Sequence, residues 1–336
     1  MTRRLTYAAA GVDVAAGEKA VERLGPHVRS THRAEVIGDI GGFGGLFSLR
    51  DLRQRDPVLV ASTDGVGTKS VIARLADRYD TIGLDAVAMS VDDVAATGAE
   101  PLFLLDYLSV GELVPERVEE IVSGVAEGCR QAGCALLGGE MSEHRGVMGP
   151  DEFDLVTFAV GVAERSELLP AGVAAGDQVI GLASPGLRCN GYSLARAALL
   201  DEVGHADPAL LAELLEPSVI YAPAIARLRE AADVRALAHV TGGGIPGNLA
   251  RVLPEDCDAV VYRGRWPEPA IFARVQEAGE VTDNEMAQTF NLGLGMLAVM
   301  AASSANLAVE ALAAVGTDAW PVGEVGTGTG QVEIRP

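Results

Sequence analysis

The chain has few of the residues that build metal-stapled or disulfide-stapled domains. It contains four cysteines and five histidines in 336 residues, and no two cysteines form a Cys-x-x-Cys pair. A zinc site or a disulfide framework is therefore not expected, and the cysteines are interpreted as reduced thiols. They are Cys129, Cys134, Cys189 and Cys257.

Long apolar runs are also absent. No run approaches the roughly 18 to 20 residues that a membrane-spanning helix needs, and residues 1–7 lack the apolar stretch of a secretion signal. We therefore expect a cytoplasmic protein without a membrane partner. Apolar residues still make up 49% of the chain, which is enough for sizeable cores.

Positive charge is scarce, and the formal net charge is −21. Binding to a nucleic-acid backbone needs clustered cations, so we expect no nucleic-acid partner. A small phosphorylated ligand stays compatible with this charge, because one local cluster and a metal ion can hold it. Only two of the 26 basic residues are lysines, Lys19 and Lys69, and Lys69 lies in a glycine-rich turn.

Strand-like and helix-like patterns are interspersed along the chain, which predicts an α/β (α+β) fold. Residues 112–132 repeat apolar side chains at helical spacing, with Pro115 near the start and Gly133 just past the end. Short apolar runs typical of buried strands occupy residues 57–62, 153–160, 178–183 and 296–300.

A turn-rich stretch at residues 170–176 separates two of these strand-like runs. A boundary there divides the chain into halves of similar length, and a chain of this length fits two domains better than one. We predict domains at residues 1–168 and 175–336. No short-period repeat is visible in the sequence.

A glycine-rich turn follows the first predicted strand. Residues 62–69 read Ser-Thr-Asp-Gly-Val-Gly-Thr-Lys. Glycines let the backbone turn tightly and present N–H groups to an anion, so Asp64 is a candidate ligand of a divalent cation and Lys69 of a phosphate. The Walker A pattern is absent, and an ordinary strand-turn-helix connection is equally compatible with this segment.

Residues 83–98 carry three carboxylates. If helical, they place Asp85, Asp92 and Asp93 on the side opposite an apolar stripe. Mg²⁺ typically takes one or two carboxylates together with phosphate oxygens and water. The alternative is a solvated acidic face, which is common on an acidic protein.

A second acidic candidate lies in residues 137–144, where Glu140 follows a strand and a pair of glycines. Ligands in parallel-sheet proteins bind at such strand ends. His144 is a candidate acid or base, although a histidine in a loop is more often only solvated.

Two further motifs lie in the second half of the chain. Residues 184–193 contain Arg188, a candidate phosphate ligand, and Cys189, a candidate nucleophile, followed by Asn190. Asn190 is equally compatible with a helix cap. Residues 239–244 read His-Val-Thr-Gly-Gly-Gly, which suits close approach of the backbone to a ligand or a tight connection.

Taken together, these motifs resemble the phosphoribosylformylglycinamidine cyclo-ligase family, also called aminoimidazole ribonucleotide synthetases. The resemblance covers nearly the whole chain, and several ordered segments are far more specific than one glycine-rich turn. The segments are residues 7–13, 40–47, 63–69, 83–89, 98–107, 137–140, 190–194, 239–244 and 289–296.

The resemblance implies a homodimer of chains with two α/β domains each. The N-terminal domain contributes a sheet or barrel to the dimer interface, and the C-terminal domain is an α/β sandwich. It also implies an ATP site without a P-loop, built around that interface. Such enzymes convert formylglycinamidine ribonucleotide and ATP to aminoimidazole ribonucleotide, ADP and phosphate.

The resemblance also implies roles for individual residues. Magnesium would be bound by Asp64, Asp93 and Glu140, and Lys69, Asp93 and Arg188 would be catalytic. The nucleotide would be held by Gly42, Phe43, Gly44 and the turn of Asp64, Gly65, Val66, Gly67, Thr68 and Lys69. The phosphorylated substrate would contact Asn190, Thr241, Gly242 and Gly243.

The sequence departs from the family at several site-like positions. Arg188 and Cys189 replace a His-Ser pair, Arg145 replaces a proline, and Ser30 stands where a lysine is common. Arginine stays protonated near neutrality, so Arg188 is not expected to act as a general base. A relative that phosphorylates a different amide, amidine or acid is therefore an alternative, and a non-catalytic nucleotide-binding protein is a third.

Overall fold

The computed structural model describes residues 14–200 and 207–336, so the motif at residues 7–13 lies outside the described residues. The chain forms two sheets with helices packed on them, which confirms the mixed α/β prediction. Strands before residue 165 build the first sheet together with a small hairpin, and strands after residue 177 build the second.

The first half of the chain alternates strands with four helices. Its helices are α1 (Val14–Arg29), α2 (Lys69–Leu75), α3 (Ile82–Ala96) and α4 (Pro115–Ala132). Its strands are β1 (Val36–Ile37), β2 (Leu46–Phe47), β3 (Pro57–Gly65), β4 (Glu100–Val110), β5 (Ala135–Glu143) and β6 (Phe153–Glu164).

Helix α4 begins and ends at the residues that its sequence predicts, for identifiable physical reasons. Pro115 stands at its first turn, where its missing N–H costs nothing, and Gly133 ends it in the left-handed conformation with φ of 70°. Val118, Ile121 and Val125 recur on one face and are buried. The predicted helix and both of its ends are confirmed.

The first sheet has the order β3-β6-β4-β5 and covers α3 and α4 with one face only. β3 and β4 are antiparallel to β6, and β5 is parallel to β4. Along β3 the burial alternates with period two, so Ser62 and Asp64 face α3, whereas Leu59, Ala61 and Thr63 are exposed on the outer face. We call the two sides the inner and outer faces of the first sheet.

The second half of the chain builds a six-stranded sheet of order β12-β9-β11-β7-β10-β8. Its strands are β7 (Gln178–Ala183), β8 (Val234–His239), β9 (Cys257–Tyr262), β10 (Leu294–Met300), β11 (Ala319–Thr327) and β12 (Val332–Arg335). Its helices are α5 (Tyr192–Leu199), α6 (Pro208–Leu214), α7 (Ala222–Ala231), α8 (Gly244–Ala250), α9 (Ala270–Ala278), α10 (Asp283–Thr289) and α11 (Ala305–Ala313).

Short 3₁₀ helices at Arg165–Glu167 and Ala302–Ser304 complete the described elements. Strand β10 is buried at every position, as expected of a central strand covered on both faces. Among the described residues, no helix is long and apolar enough to cross a membrane.

Helix α3 joins the two halves of the molecule through buried carboxylates. Asp85 and Asp92 lie two turns apart on the same side of α3, and both are fully buried. Each accepts a backbone N–H from the segment after α6: Ser218 donates to Asp85 Oδ1 at 2.9 Å, and Tyr221 donates to Asp92 Oδ1 at 2.7 Å. Neither the solvated acidic face nor a metal site describes these two residues.

Each of these carboxylates also pairs with a buried cation. Lys69 Nζ lies 2.7 Å from Asp85 Oδ2 and donates to the Glu216 carbonyl at 2.8 Å. Arg188 Nη2 lies 2.7 Å from Asp92 Oδ2. We refer to Asp85, Asp92, Lys69, Arg188 and the residues 216–221 that they bind as the domain junction.

The junction predicts a large stability loss for Lys69→Met. The substitution leaves Asp85 buried without its cation, which typically costs about 3–5 kcal/mol of unfolding free energy. Adding Asp85→Asn removes the orphaned charge and should restore part of the loss, because an amide oxygen still accepts from Ser218. The measurement is the urea unfolding midpoint.

The matched control is Arg227→Met, which removes the exposed ion pair with Glu230. Exposed pairs contribute about 0–1 kcal/mol, so this variant should remain near the wild type. Equal losses in Lys69→Met and Arg227→Met would show that the buried pair does not hold the junction.

Candidate active site

The glycine-rich turn after β3 meets the loop that precedes α5, and we call the exposed surface beside this contact the cleft. The Thr68 and Ser193 hydroxyl oxygens lie 3.3 Å apart at this contact. Gly67 adopts φ of 54°, and a Cβ there would lie 4.0 Å from the Cys189 carbonyl oxygen. The exposed N–H groups of Gly67 and Thr68 have no acceptor among the described residues, as a turn that binds an anion requires.

Two carboxylates converge at the end of this turn. Asp93 is half-exposed and lies beside Asp64, which accepts the Gly65 N–H at 2.7 Å. Burial raises the pKa of Asp64, and the charge of Asp93 adds to the rise. The carboxylates of Asp64 and Asp93 thus lie close enough to repel each other, and both are partly exposed in the cleft.

Asp93 is held by two donors from different domains. Its Oδ1 lies 2.8 Å from His239 Nδ1, at the end of β8, and its Oδ2 accepts from the Ser62 hydroxyl at 2.9 Å. Burial alone would raise the pKa of Asp93, but these hydrogen bonds outweigh it and keep the pKa below its ordinary value. Asp93 is therefore ionised and fixed in orientation at neutral pH.

The donor set fits a magnesium ion that is shared with a phosphorylated ligand. Mg²⁺ commonly uses one or two protein carboxylates and completes its shell with phosphate oxygens and water. Asp64 and Asp93 supply two such groups next to the free N–H groups of Gly67 and Thr68. The described residues contain no group of three acidic, histidine or cysteine side chains that would form an all-protein metal site.

Glu140 does not join Asp64 and Asp93 within one chain. The β4–β5 register passes from Leu104–Leu136 to Leu105–Gly138, so Leu137 is an extra residue that reverses the alternation beyond it. Glu140 is consequently exposed on the outer face, three strands from Asp64 or about 14 Å across the sheet. A three-carboxylate site within a single chain is therefore a wrong prediction.

The predicted nucleotide loop lies with Glu140 rather than with Asp64. Gly45 packs so closely on Leu137 of β5 that a Cβ would lie 2.4 Å from the leucine Cγ. The Phe47 ring contacts Phe103 of β4 at 5.4 Å between centroids. Residues 42–44, including the fully exposed Phe43, thus stand at the β5 edge of the sheet.

Lys69 and Arg188 are not placed where a ligand in the cleft reaches them. The Lys69 side chain has no exposed surface and is bound by Asp85 and the Glu216 carbonyl. Arg188 is 1% exposed and donates to Asp92 and to the Val219 carbonyl, both at 2.7 Å. Their expected roles as phosphate ligands do not fit these positions, because both cations are already paired with the buried carboxylates Asp85 and Asp92.

The four predicted substrate contacts do come together. A Cβ on Gly242 would lie 3.8 Å from Nδ2 of the Asn190 side chain. The side-chain oxygen Oδ1 of Asn190 is buried and has no hydrogen-bond partner among the described residues. Thr241 donates to Asn248 at 3.3 Å. A cavity of about 630 Å³ opens on the other side of Gly243, toward α8 and α10, and Asn190, Thr241 and Gly242 do not line it.

The remaining departures from the family lie in ordinary structural settings. Burial raises the pKa of the Cys189 thiol far above its usual range, so a thiolate nucleophile is not formed there. Arg145 makes surface ion pairs with Glu112 and Glu143. Ser30 donates to the His27 carbonyl, and His144 lies 3.4 Å from the Tyr107 hydroxyl on the outer face.

Two residues of the site escaped the sequence reasoning. His239 is recognisable in the sequence only as part of a glycine motif, and nothing in the sequence indicates that it contacts Asp93.

Asp106 lies on the inner face of β4, two strands from Asp64, and burial raises its pKa to about 7. A lone acidic residue in the apolar run of β4 was the available signal. Gly139 leaves room for this carboxylate, since a Cβ there would lie 1.8 Å from Asp106 Oδ1.

The raised pKa of Asp106 predicts a pH-dependent stability difference. An unfolded aspartate titrates near pH 3.9, so the folded chain binds the extra proton between about pH 4 and pH 7. Wild-type stability from this group therefore falls as pH rises through that window. The urea midpoint of Asp106→Asn should therefore rise relative to that of the wild type as the pH increases from 5 to 8.

Asp154→Asn, at an exposed position of the neighbouring strand β6, controls for the substitution itself. A difference between Asp106→Asn and wild type that stays constant from pH 5 to pH 8 would contradict the assignment.

Comparison with known proteins places both domains in one family. The N-terminal domain model of the AIR synthase related proteins matches residues 48–163, and the C-terminal domain model matches residues 174–335. A phosphoribosylformylglycinamidine cyclo-ligase of Anaeromyxobacter sp. (strain Fw109-5) is 52% identical over 97% of both chains. A protein of the same name from Brevibacillus brevis is 47% identical, again over 97% of both.

Solved structures share the fold at lower identity. Thiamine-monophosphate kinase from Stenotrophomonas maltophilia superposes with a TM-score of 0.68 at 20% identity, covering 94% of this chain and 95% of the kinase. The hydrogenase maturation protein HypE from E. coli gives 0.68 at 22% identity, covering 95% and 93%. The two-domain fold and the resemblance inferred from the sequence are confirmed, and the chain belongs to the AIR synthase related protein family.

Proposed function

We propose that this chain is an ATP-dependent cyclo-ligase that converts formylglycinamidine ribonucleotide to aminoimidazole ribonucleotide, with release of ADP and phosphate. The observation that carries the proposal is the 52% identity over 97% of a protein named phosphoribosylformylglycinamidine cyclo-ligase. The open pair of Asp64 and Asp93 beside the free N–H groups of the glycine-rich turn supplies the matching chemistry. Because it consumes ATP, we place the enzyme in the cytoplasm.

The reaction needs an amide oxygen to become a leaving group. Transfer of the ATP γ-phosphoryl group to that oxygen gives an iminophosphate and ADP. The amidine nitrogen then attacks the same carbon, phosphate leaves with the oxygen, and the five-membered ring closes. Positioning and charge neutralisation supply most of the catalysis in such phosphoryl transfers.

The residues of the cleft divide this work between the domains. In the proposal, Gly67 and Thr68 bind nucleotide phosphates through their N–H groups, and Asp64 and Asp93 hold magnesium, which would neutralise charge on the transferred group. Asn190 and residues 241–243 bind the phosphorylated substrate from the opposite wall. Lys69 and Arg188 act from the domain junction by holding the two walls in register.

Proteins with the same fold support the use of ATP. One HypE structure, in complex with ATP, superposes with a TM-score of 0.64 and covers 97% of this chain. At 16% identity this match shows only a shared fold, so the binding of ATP by this chain is part of the proposal. The two relatives named cyclo-ligase do not favour the alternative of a different amide, amidine or acid as substrate.

The proposal predicts release of ADP and phosphate that depends on formylglycinamidine ribonucleotide and magnesium. Asp93→Asn should lower kcat/KM by at least the roughly 10- to 100-fold that losing an outer-shell partner of a metal costs. Coupled ADP detection and an assay for the aromatic amine product measure both.

Asp80→Asn is the matched control, because Asp80 is an exposed partner of Arg78 far from the cleft. A panel of other amides, amidines and acids tests the alternative. Turnover of one of these in the absence of turnover with formylglycinamidine ribonucleotide would refute the proposed substrate.

We further propose that two copies pair through the outer faces of their first sheets. Leu59, Phe158 and Tyr107 are 59%, 41% and 38% exposed on that face. An apolar sheet face of this kind is typical of an interface, and a two-fold axis would bring identical faces together. Residues 42–44 and Glu140, which one chain holds away from its own Asp64, would then face the partner and complete its nucleotide site.

The dimer proposal predicts that Leu59→Asp produces monomers with reduced activity. A buried charge at the centre of an apolar interface is unfavourable unless it is paired. Leu307→Asp is the matched control, because Leu307 is 54% exposed on α11 and lies outside the first sheet. Sedimentation velocity distinguishes the two states, and a dimeric, fully active Leu59→Asp variant would exclude this interface.

A further inference from the structure

His239 is held between two side chains that together define where its ring proton lies. Arg188 Nη2 is 3.0 Å from His239 Nε2, and His239 Nδ1 is 2.8 Å from Asp93 Oδ1. A guanidinium has only donors, so Nε2 must accept and carry no proton. The proton is therefore on Nδ1, and the neutral ring donates it to Asp93.

Arg188 has no freedom to adopt another arrangement. Its side chain is 1% exposed, donates to Asp92 and to the Val219 carbonyl, and stacks on Tyr221 with 5.0 Å to the ring centroid. The backbone at Arg188 has φ of 62°, a conformation that only the surrounding contacts can maintain for a non-glycine residue. The donor to His239 is thus fixed by the domain junction.

The direction of the His239 hydrogen bond matters for Asp93. A neutral donor orients the carboxylate without cancelling its charge, and Ser62 does the same for the other oxygen. The charged groups that act on Asp93 from the packed elements are Asp64 and Arg251, while His239 faces it as a hydrogen-bond donor. With His239 neutral, both carboxylates keep an unshared lone pair on each oxygen for a cation in the cleft.

We propose that Arg188 is a positioning residue, which fixes the Nδ1–H tautomer of His239 and thereby orients Asp93 toward magnesium. The metal-related part rests on the proposed function, whereas the tautomer follows from the contacts of this chain alone. The role differs from the one expected from the sequence, since Arg188 acts on the site through His239 and never contacts a phosphate. Removal of an outer-shell partner of this kind typically costs about 10- to 100-fold in metal affinity or activity.

The first experiment observes the tautomer by ¹⁵N NMR of protein labelled in its histidine rings. In the wild type, one ring should show a protonated Nδ1 and an unprotonated Nε2, and His239→Asn should remove that signal. In Arg188→Lys the side chain ends one bond short of the Nη2 atom that contacts both Asp92 and His239, and we expect its ammonium group to keep the contact with the charged Asp92 and to lose the one with His239. The Nε2 signal should then change to a protonated form.

The second experiment measures binding of the non-hydrolysable nucleotide AMPPCP by titration calorimetry, with and without Mg²⁺. Arg188→Lys should weaken the magnesium-dependent affinity about 10- to 100-fold and change the magnesium-free affinity far less. Arg229→Lys is the matched control, because Arg229 also crosses between the domains, donating to the Gly98 and Glu167 carbonyls, without touching the cleft.

The outcomes separate this inference from the proposed reaction. A wild-type His239 protonated on Nε2, or an unchanged ring and unchanged magnesium dependence in a folded Arg188→Lys variant, would overturn the inference. If Arg188→Lys does not fold, the pair Arg188→Met with Asp92→Asn removes both buried charges and allows the same measurements. Failure to turn over formylglycinamidine ribonucleotide, with the NMR and calorimetry as expected, would refute only the proposed substrate.

Discussion

The structure depends on two carboxylates of one helix that are buried between the domains. Asp85 and Asp92 on α3 bind backbone N–H groups of residues 218–221 and neutralise Lys69 and Arg188. Buried ion pairs contribute little net stability compared with apolar packing, but they tolerate only one arrangement of their partners. They therefore set how the glycine-rich turn of the first domain meets the loops of the second, and the cleft exists as a result of that alignment.

The elements of the fold were largely readable from local pattern. β7 occupies the predicted residues 178–183, and α4 begins and ends at Pro115 and Ala132, because burial periodicity and end chemistry are local properties. A helix over residues 83–98 was the condition on which its three carboxylates would share a side, and α3 meets that condition. Periodicity states which residues share a side, but not what covers that side, so the burial of Asp85 and Asp92 under the second domain was not predictable.

The site was predictable only in part, for the same reason. Asp64 follows a strand directly and Asp93 lies on the adjacent helix, so their convergence needs little more than the first domain. Glu140 was misplaced because a single extra residue at Leu137 decides which face it occupies, and one-residue register shifts leave no mark in the sequence. Lys69 and Arg188 looked like phosphate ligands because a residue type does not reveal its partner across a domain boundary. The contact of His239 with Asp93 spans 146 positions and was invisible for that reason.

Asp92 and Asp93 are neighbours on one turn of α3, yet one is enclosed in the contact between domains and the other faces the cleft. Because both side chains are fixed on one helix turn, a tilt of the second domain would displace the partners of Asp92 and of Asp93 together. Packing at the boundary and geometry at the reaction centre are thus mechanically inseparable in this chain. A substitution at the domain boundary would therefore also change the geometry of Asp93, so selection on activity would limit which residues this boundary can accept.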